Sequence, residues 1–181
     1  MRLITALALA ICGLAAAACS DQGKVGQSGD VLVIELKSGN VLVKLRPDLA
    51  PKHVERVKQL AKEGFYDGIK FHRVIKGFMA QTGDPTGTGT GGSNYPDLPA
   101  EFSQEPFRRG TIGAARTPEP NSANSQFFIC FDDTGCSSLT GQYTVWGNVI
   151  EGMDNVDQIA PGEPPPIPDV MLKVYMQSDA K

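Results

Sequence analysis

Phe71-His72-Arg73-Val74-Ile75-Lys76-Gly77-Phe78-Met79-Ala80-Gln81-Thr82-Gly83-Asp84 is the densest stretch of the chain in groups able to do chemistry. Its pattern is strand, bend, strand. Ile69–Val74 and Phe78–Gln81 have the composition of short strands, and Gly77 lets the chain turn between them. Side chains alternate across a strand, so Phe71, Arg73 and Ile75 are predicted to share one face. His72 then faces the other way, as a structural imidazole. A long cation, the apolar Phe78 and Met79, and the amide of Gln81 converge. Taken alone, an arginine at such a position is most often a surface ion-pair residue.

Working outward, the same alternation recurs. Val31–Lys37 and Asn40–Arg46 are β-branched runs flanking Ser38-Gly39, a hairpin signal. Leu49–Glu63 is predicted as a helix, with Pro51 at a first helical position and Gly64 just past the end. Val54, Val57, Leu60 and Ala61 fall on its apolar face. Lys52, Glu55, Lys58 and Lys62 fall on its solvated side. Further strands are predicted at Thr111–Ala114, Gln126–Phe131, Thr144–Val149 and Val170–Met176. A second helix is predicted at Met153–Ala160, stopped by Pro164-Pro165-Pro166. Many short strands and only two helices argue for a mainly β fold. The predicted form is a closed barrel with no unpaired edge, its ends plugged by the helices. Trp146 lies in an alternating strand and is assigned to the core.

The N-terminus reads as an address. Arg2 precedes an apolar run, Leu3 to Ala18, which at 16 residues is shorter than the ~20 needed to span a bilayer. Small residues follow at Ala15–Ala18. Residues 1–18 are therefore read as a secretory signal peptide, outside the fold. Cys19 follows in the manner of a bacterial lipobox, although Ala16 stands where such boxes usually carry leucine. Lipidation of Cys19 and plain cleavage after an Ala-x-Ala triplet both remain open. Residues 19–29 are read as a flexible tether, and 30–181 as one domain. The mature protein is expected in the periplasm, free or held to the membrane through Cys19.

The 181 residues carry a net charge of −3, one unit more negative once Arg2 leaves, so there is no basic surplus for nucleic acid. Of the four cysteines, Cys12 departs with the signal. Cys130 and Cys136 are then a disulfide candidate in an oxidising compartment. Two histidines, His53 and His72, offer no companions for a zinc site, and no metal is expected. Gly87-Thr88-Gly89-Thr90-Gly91-Gly92 lacks the Gly-Lys-Ser/Thr ending of a phosphate loop and reads as a flexible loop beside a groove. The adjacent Asp132 and Asp133 point apart, which disfavours a paired-carboxylate hydrolase.

A second cluster runs Asn121-Ser122-Ala123-Asn124-Ser125-Gln126-Phe127-Phe128-Ile129-Cys130, with one Phe inward and one outward, Phe127 being the more core-like. Together with Phe71–Asp84 and Gly141-Gln142-Tyr143-Thr144-Val145-Trp146-Gly147, it resembles the cyclophilin-type peptidyl-prolyl cis-trans isomerases from about Val31 to Met176. The resemblance implies an eight-stranded antiparallel barrel capped by two helices, with a shallow outer-wall groove for Xaa-Pro segments. It makes Phe78, Met79, Phe128 and Leu139 a pocket for the proline ring, and Gln81 an amide that holds substrate backbone. Ala115 and Arg116 would line the neighbouring groove, with Gly89 and Gln126 at its border. Tyr143 stands where many members carry His, keeping an aromatic wall. Ser138 falls where many eukaryotic members carry a cyclosporin-contacting Trp. Arg116 replaces a familiar Asn, beside an apparent one-residue insertion in Thr117–Pro120. Small members of the family are usually monomeric.

The chemistry of the reaction suits these residue types. Rotation about a peptide bond has a barrier of ~18–20 kcal/mol because the nitrogen lone pair is delocalised. Uncatalysed Xaa-Pro exchange takes ~10–100 s. No bond breaks, so no nucleophile, metal or cofactor is called for. A guanidinium aimed at the prolyl nitrogen binds the twisted, amine-like state better than the planar one, which is the condition for catalysis. Arg73 is the candidate. A non-catalytic proline-peptide-binding or holdase module using the same groove is the alternative, and a lipid-anchored envelope scaffold is a third reading.

Overall fold

The computed structural model describes residues 30–180. The signal peptide, Cys12, Cys19 and the tether lie outside the described residues. Alternation builds the first hairpin. Leu32, Ile34 and Leu36 of Val31–Leu36 (β1) face Val41, Val43 and Leu45 of Gly39–Leu45 (β2) within one buried cluster. Leu36 pairs with Gly39, so Lys37 and Ser38 alone make the turn. Six more strands follow: Arg73–Ile75 (β3), Met79–Thr82 (β4), Thr111–Ala114 (β5), Phe127–Cys130 (β6), Val145–Glu151 (β7) and Lys173–Met176 (β8). All ladders are antiparallel, in the order β3-β4-β6-β5-β7-β2-β1-β8.

The sheet curls but does not close, which corrects the expectation of a closed barrel. Between β3 and β8 only isolated bridges form, Lys70 with Val170 and Val74 with Gly162. The segment that would complete the ladder carries Pro164, Pro165, Pro166 and Pro168. Proline has no N–H to donate, so a continuous ladder cannot form there. The open edge of β3 is covered instead by the loop through Gly162.

Pro51–Lys62 (α1) buries Val54, Val57, Leu60 and Ala61 as the spacing predicts, together with His53. Its first turn has no side-chain cap from Ala50. The Glu101 carboxylate supplies one from a distance, accepting from the Lys52 and His53 amides at 3.1 and 3.0 Å and meeting His53 Nδ1 at 2.6 Å. Burial holds His53 below the usual histidine range despite Glu101. The second helix, Met153–Val156 (α2), is shorter than predicted. Hydrogen bonding slides to Gln158 N–Asn155 O and Ile159 N–Val156 O, so the α-helix gives way to tight turns. Trp146 is buried in the interior, edge-on to Phe127 at 5.3 Å.

Candidate functional site

Register puts the site together. Arg73 pairs with Gln81, Gln81 with Phe128, Phe128 with Gly113, and Gly113 with Val145. These five positions form one row across β3, β4, β6, β5 and β7. Paired residues share a face, with strands ~4.8 Å apart. Ile75, Met79 and Cys130 form the next row. Both rows lie on the outer wall. There a second apolar cluster, Met79, Phe107, Phe128, Cys130, Cys136 and Val145, packs apart from the interior. Phe127 points into the interior and Phe128 into this outer cluster.

Alternation fails at Phe71. It lies in the interior with Val74, whereas Arg73 and Ile75 face out. β3 begins only at Arg73, so Phe71 and His72 are irregular and the period of two does not extend back through them. His72 is buried, and a Cβ built on Gly89 would meet its ring at 3.6 Å. Burial pushes its imidazole below the usual range, with Arg73 adding to the effect against Asp84. The bend is the three-residue loop Lys76-Gly77-Phe78, where Gly77 takes φ +70°, a left-handed conformation that other residues adopt at a cost.

The outer wall encloses a cavity of about 140 Å³, lined by Arg73, Phe78, Met79, Gln81, Ala115, Arg116, Phe128, Leu139 and Tyr143. Phe128 stacks on Phe107 at 5.6 Å and meets Tyr143 edge-on at 5.7 Å. Leu139 comes from a short 3-10 turn, Ser137–Leu139, just past Cys136. Cys136 is bonded to Cys130. Arg116 lies 4.5 Å over the Tyr143 ring, with its donors taken by the carbonyls of Gln142, Thr117 and Pro118. Ser138 is exposed and is not part of the lining.

A polar chain bounds the cavity on its other side. Arg73 Nη1 lies 3.5 Å from Gln81 Oε1, and Gln81 Nε2 donates to Gln126 Oε1 at 2.9 Å. Gln126 Nε2 donates to the carbonyls of Gly89 and Gly91 at 3.0 and 2.8 Å. The glycine loop carrying those carbonyls is tied down. Asp84 Oδ2 accepts from the amides of Thr88, Gly89 and Gly91, and Oδ1 from the amide and hydroxyl of Thr86. Burial alone would raise the Asp84 carboxyl, but these hydrogen bonds outweigh it and hold it at about 2. The loop is thus beside the groove, as read, but is anchored rather than loose.

A second, larger cavity of about 520 Å³ adjoins the first and shares Gln81, Ala115 and Arg116 with it. Gly89 and Gln126 border it as the resemblance implies. Asp97, Thr117, Pro118, Ser122 and Asn124 also line it, and sequence reasoning did not assign them. Asp97 and Asn124 are bonded to each other at 2.9 Å across 27 residues, a pairing that no local pattern signals. Asp132 and Asp133 serve separate turns, accepting from Gly135 and Thr134 and from Arg109 respectively.

Comparison with known proteins agrees with this geometry. The family described as "Cyclophilin type peptidyl-prolyl cis-trans isomerase/CLD" matches residues 31–175. A Brucella suis protein named "Probable peptidyl-prolyl cis-trans isomerase" is 54% identical over 168 residues, covering 84% of this chain and 85% of that protein. A Helicobacter pylori peptidyl-prolyl cis-trans isomerase is 41% identical over 134 residues, covering 72% and 80%. Among solved structures, a cyclophilin from Hirschia baltica superposes with a TM-score of 0.77 at 28% identity, over 85% of this chain and 76% of that one. A Cryptosporidium parvum cyclophilin-type isomerase, crystallised in the presence of the dipeptide Ala-Pro, has a TM-score of 0.75 at 30% identity, over 82% and 99%. The curled sheet with its row of Arg73, Gln81 and Phe128 on the outer wall is that of a relative of these enzymes, and the chain belongs to the cyclophilin-type peptidyl-prolyl cis-trans isomerase family.

Proposed function

We propose that this protein speeds rotation about Xaa-Pro bonds of exported polypeptides, with Arg73 as the catalytic donor and Gln81 holding the substrate backbone. The observation that carries this reading is the guanidinium at the rim of an apolar cavity, in one register row with an amide and an aromatic floor. Phe78, Met79, Phe128, Leu139 and Tyr143 grip the pyrrolidine ring so that only the acyl side turns. As the bond twists, the prolyl nitrogen regains its lone pair and accepts from Arg73. That hydrogen bond strengthens only in the twisted state and therefore lowers the barrier. Gln81, fixed through Gln126, restrains the backbone beside the rotating bond. Ala115, Arg116, Gly89 and Gln126 accommodate residues that flank the proline. The same reading assigns the protein to the periplasm as a monomer. There it is either free or attached to the membrane through lipidated Cys19, an assignment that rests on residues 1–19 alone.

Two-dimensional exchange NMR on an Xaa-Pro tetrapeptide, with the mature chain and its Arg73→Ala variant, tests the mechanism. Turnover falls at least about tenfold with the circular dichroism spectrum unchanged, as expected when a transition-state donor is removed. Unchanged turnover in a folded variant removes Arg73 from the reaction. Mass spectrometry of the native N-terminus tests the anchor: an acylated Cys19 supports it, and an unmodified terminus refutes it.

A further inference from the structure

We infer that Glu163 is a positioning residue, its carboxylate setting the plane of the Arg73 guanidinium against the proline cavity. The inference rests on the role proposed for Arg73. Arg73 is a long side chain, 40% exposed, standing on the three-residue edge strand β3. Its contacts on the cavity side are long: Nη1 lies 3.5 Å from Gln81 Oε1 and 3.9 Å from Met79 Sδ. Contacts this long are weak, so these two alone do not fix a group with this much rotamer freedom. The short contact is on the other edge. Glu163 Oε2 accepts from Nε at 3.0 Å. Anchors on two different guanidinium nitrogens define its plane and leave donors on Nη1 and Nη2 for the substrate.

Glu163 reaches this place because the barrel is open. The uncovered edge of β3 is occupied by Gly162, which exchanges both backbone hydrogen bonds with Val74, at 2.8 and 2.9 Å. Val74 adjoins Arg73 in sequence, and Glu163 follows Gly162. Pro164, Pro165 and Pro166 come next, each with φ restricted by its ring, so the loop holds Glu163 over β3. Glu163 is 53% exposed, and an ion pair this open contributes little to stability. Orientation is what it supplies. It acts through Arg73 and is not part of the cavity lining.

The test is a double-mutant cycle with kcat and KM measured separately for Glu163→Ala, Glu163→Gln, Arg73→Ala and the double alanine variant. Glu163→Ala lowers kcat about fivefold with KM within about twofold, since misorienting a catalytic group reduces rate more than binding. Glu163→Gln, which keeps an acceptor, recovers most of the loss. The Arg73 side-chain Nε–H resonance shifts and broadens in the alanine variant. In the Arg73→Ala background, Glu163→Ala has no further effect. Wild-type kcat in Glu163→Ala, a rise in kcat in both Glu163 variants, or an equal loss without Arg73 each overturns the inference. If Arg73→Ala is depleted in turnover while Glu163→Ala is not, only the role of Glu163 fails. If Arg73→Ala itself turns over normally, both fall together.

Discussion

Asp84→Asn tests how the groove loop is held. Asp84 is 1% exposed, and its carboxylate accepts five hydrogen bonds, three of them on Oδ2 from backbone amides at 3.1, 2.6 and 3.1 Å. Asparagine must point an NH2 at one of the two sets. The less damaging orientation keeps the oxygen toward Thr88, Gly89 and Gly91, strands the Thr86 amide, and makes every remaining bond neutral. Losing one buried acceptor and the charge assistance on three others is worth about 2–3 kcal/mol. Part of this is linked to pH. The carboxyl is lowered from 3.8 to about 2 in the fold. A depressed acid stabilises the native state above its unfolded pKa, and that contribution disappears as pH falls through the folded one. At about 1.4 kcal/mol per unit, the linked share is about 2 kcal/mol. Urea unfolding followed by the single tryptophan, Trp146, which is 1% exposed, reads it directly. Asp84→Asn is less stable at pH 7, and the gap to wild type narrows between pH 4 and 2. A gap that stays constant over that window refutes the reasoning, because other carboxylates titrate equally in both proteins. KM also rises, since Gly89 and Gly91 hold Gln126.

Three further outcomes follow from packing and capping. Gly113→Ala places a Cβ 2.5 Å from Phe128 and 2.7 Å from Phe107, so both rings move under the outer-wall cavity. Overpacking of this kind destabilises by about 1–3 kcal/mol, and the peptide Kd rises severalfold; isothermal calorimetry with a proline peptide measures it. Reducing the Cys130–Cys136 bond frees a seven-residue loop, which by loop entropy is worth about 2 kcal/mol in urea unfolding. Glu101→Ala uncaps α1 and strands His53, lowering stability by about 2–3 kcal/mol while leaving kcat within twofold.

Much of the fold is legible because β2 and α1 each bury one face, and a one-faced element leaves a clean period. The β4, β5 and β6 strands do not. Their residues are buried almost throughout, because the outer wall carries a cluster of its own over the interior core. Strands covered on both sides read as continuous apolar runs, so periodicity cannot say which of Phe127 and Phe128 faces where. Register against Gln81 decides that. The nine residues of the outer-wall cavity were all reachable, four of them through the motif at Phe71–Asp84. Most of the remainder depend on family resemblance. What stayed hidden is long-range and polar: Glu101 capping a helix 48 residues away, Asp97 with Asn124, and Glu163 on Arg73 across 90 residues. None of these has a local period or a turn signature to mark it.

The two sides of the site are consequently specified by different means. The apolar floor follows from strand register, and any sequence that pairs β4 with β6 in this alignment sets Gln81 beside Phe128. The polar rim is assembled by loops. From one direction a chain runs from Asp84 through the glycine loop, Gln126 and Gln81 to Nη1 of Arg73. From the other, the proline-rich loop on the open edge of β3 brings Glu163 to Nε. A barrel closed by a full β3–β8 ladder would use the edge groups of Val74 that now bind Gly162. The gap in the sheet is therefore part of how the guanidinium is held, and filling it with strand would remove one of its two anchors.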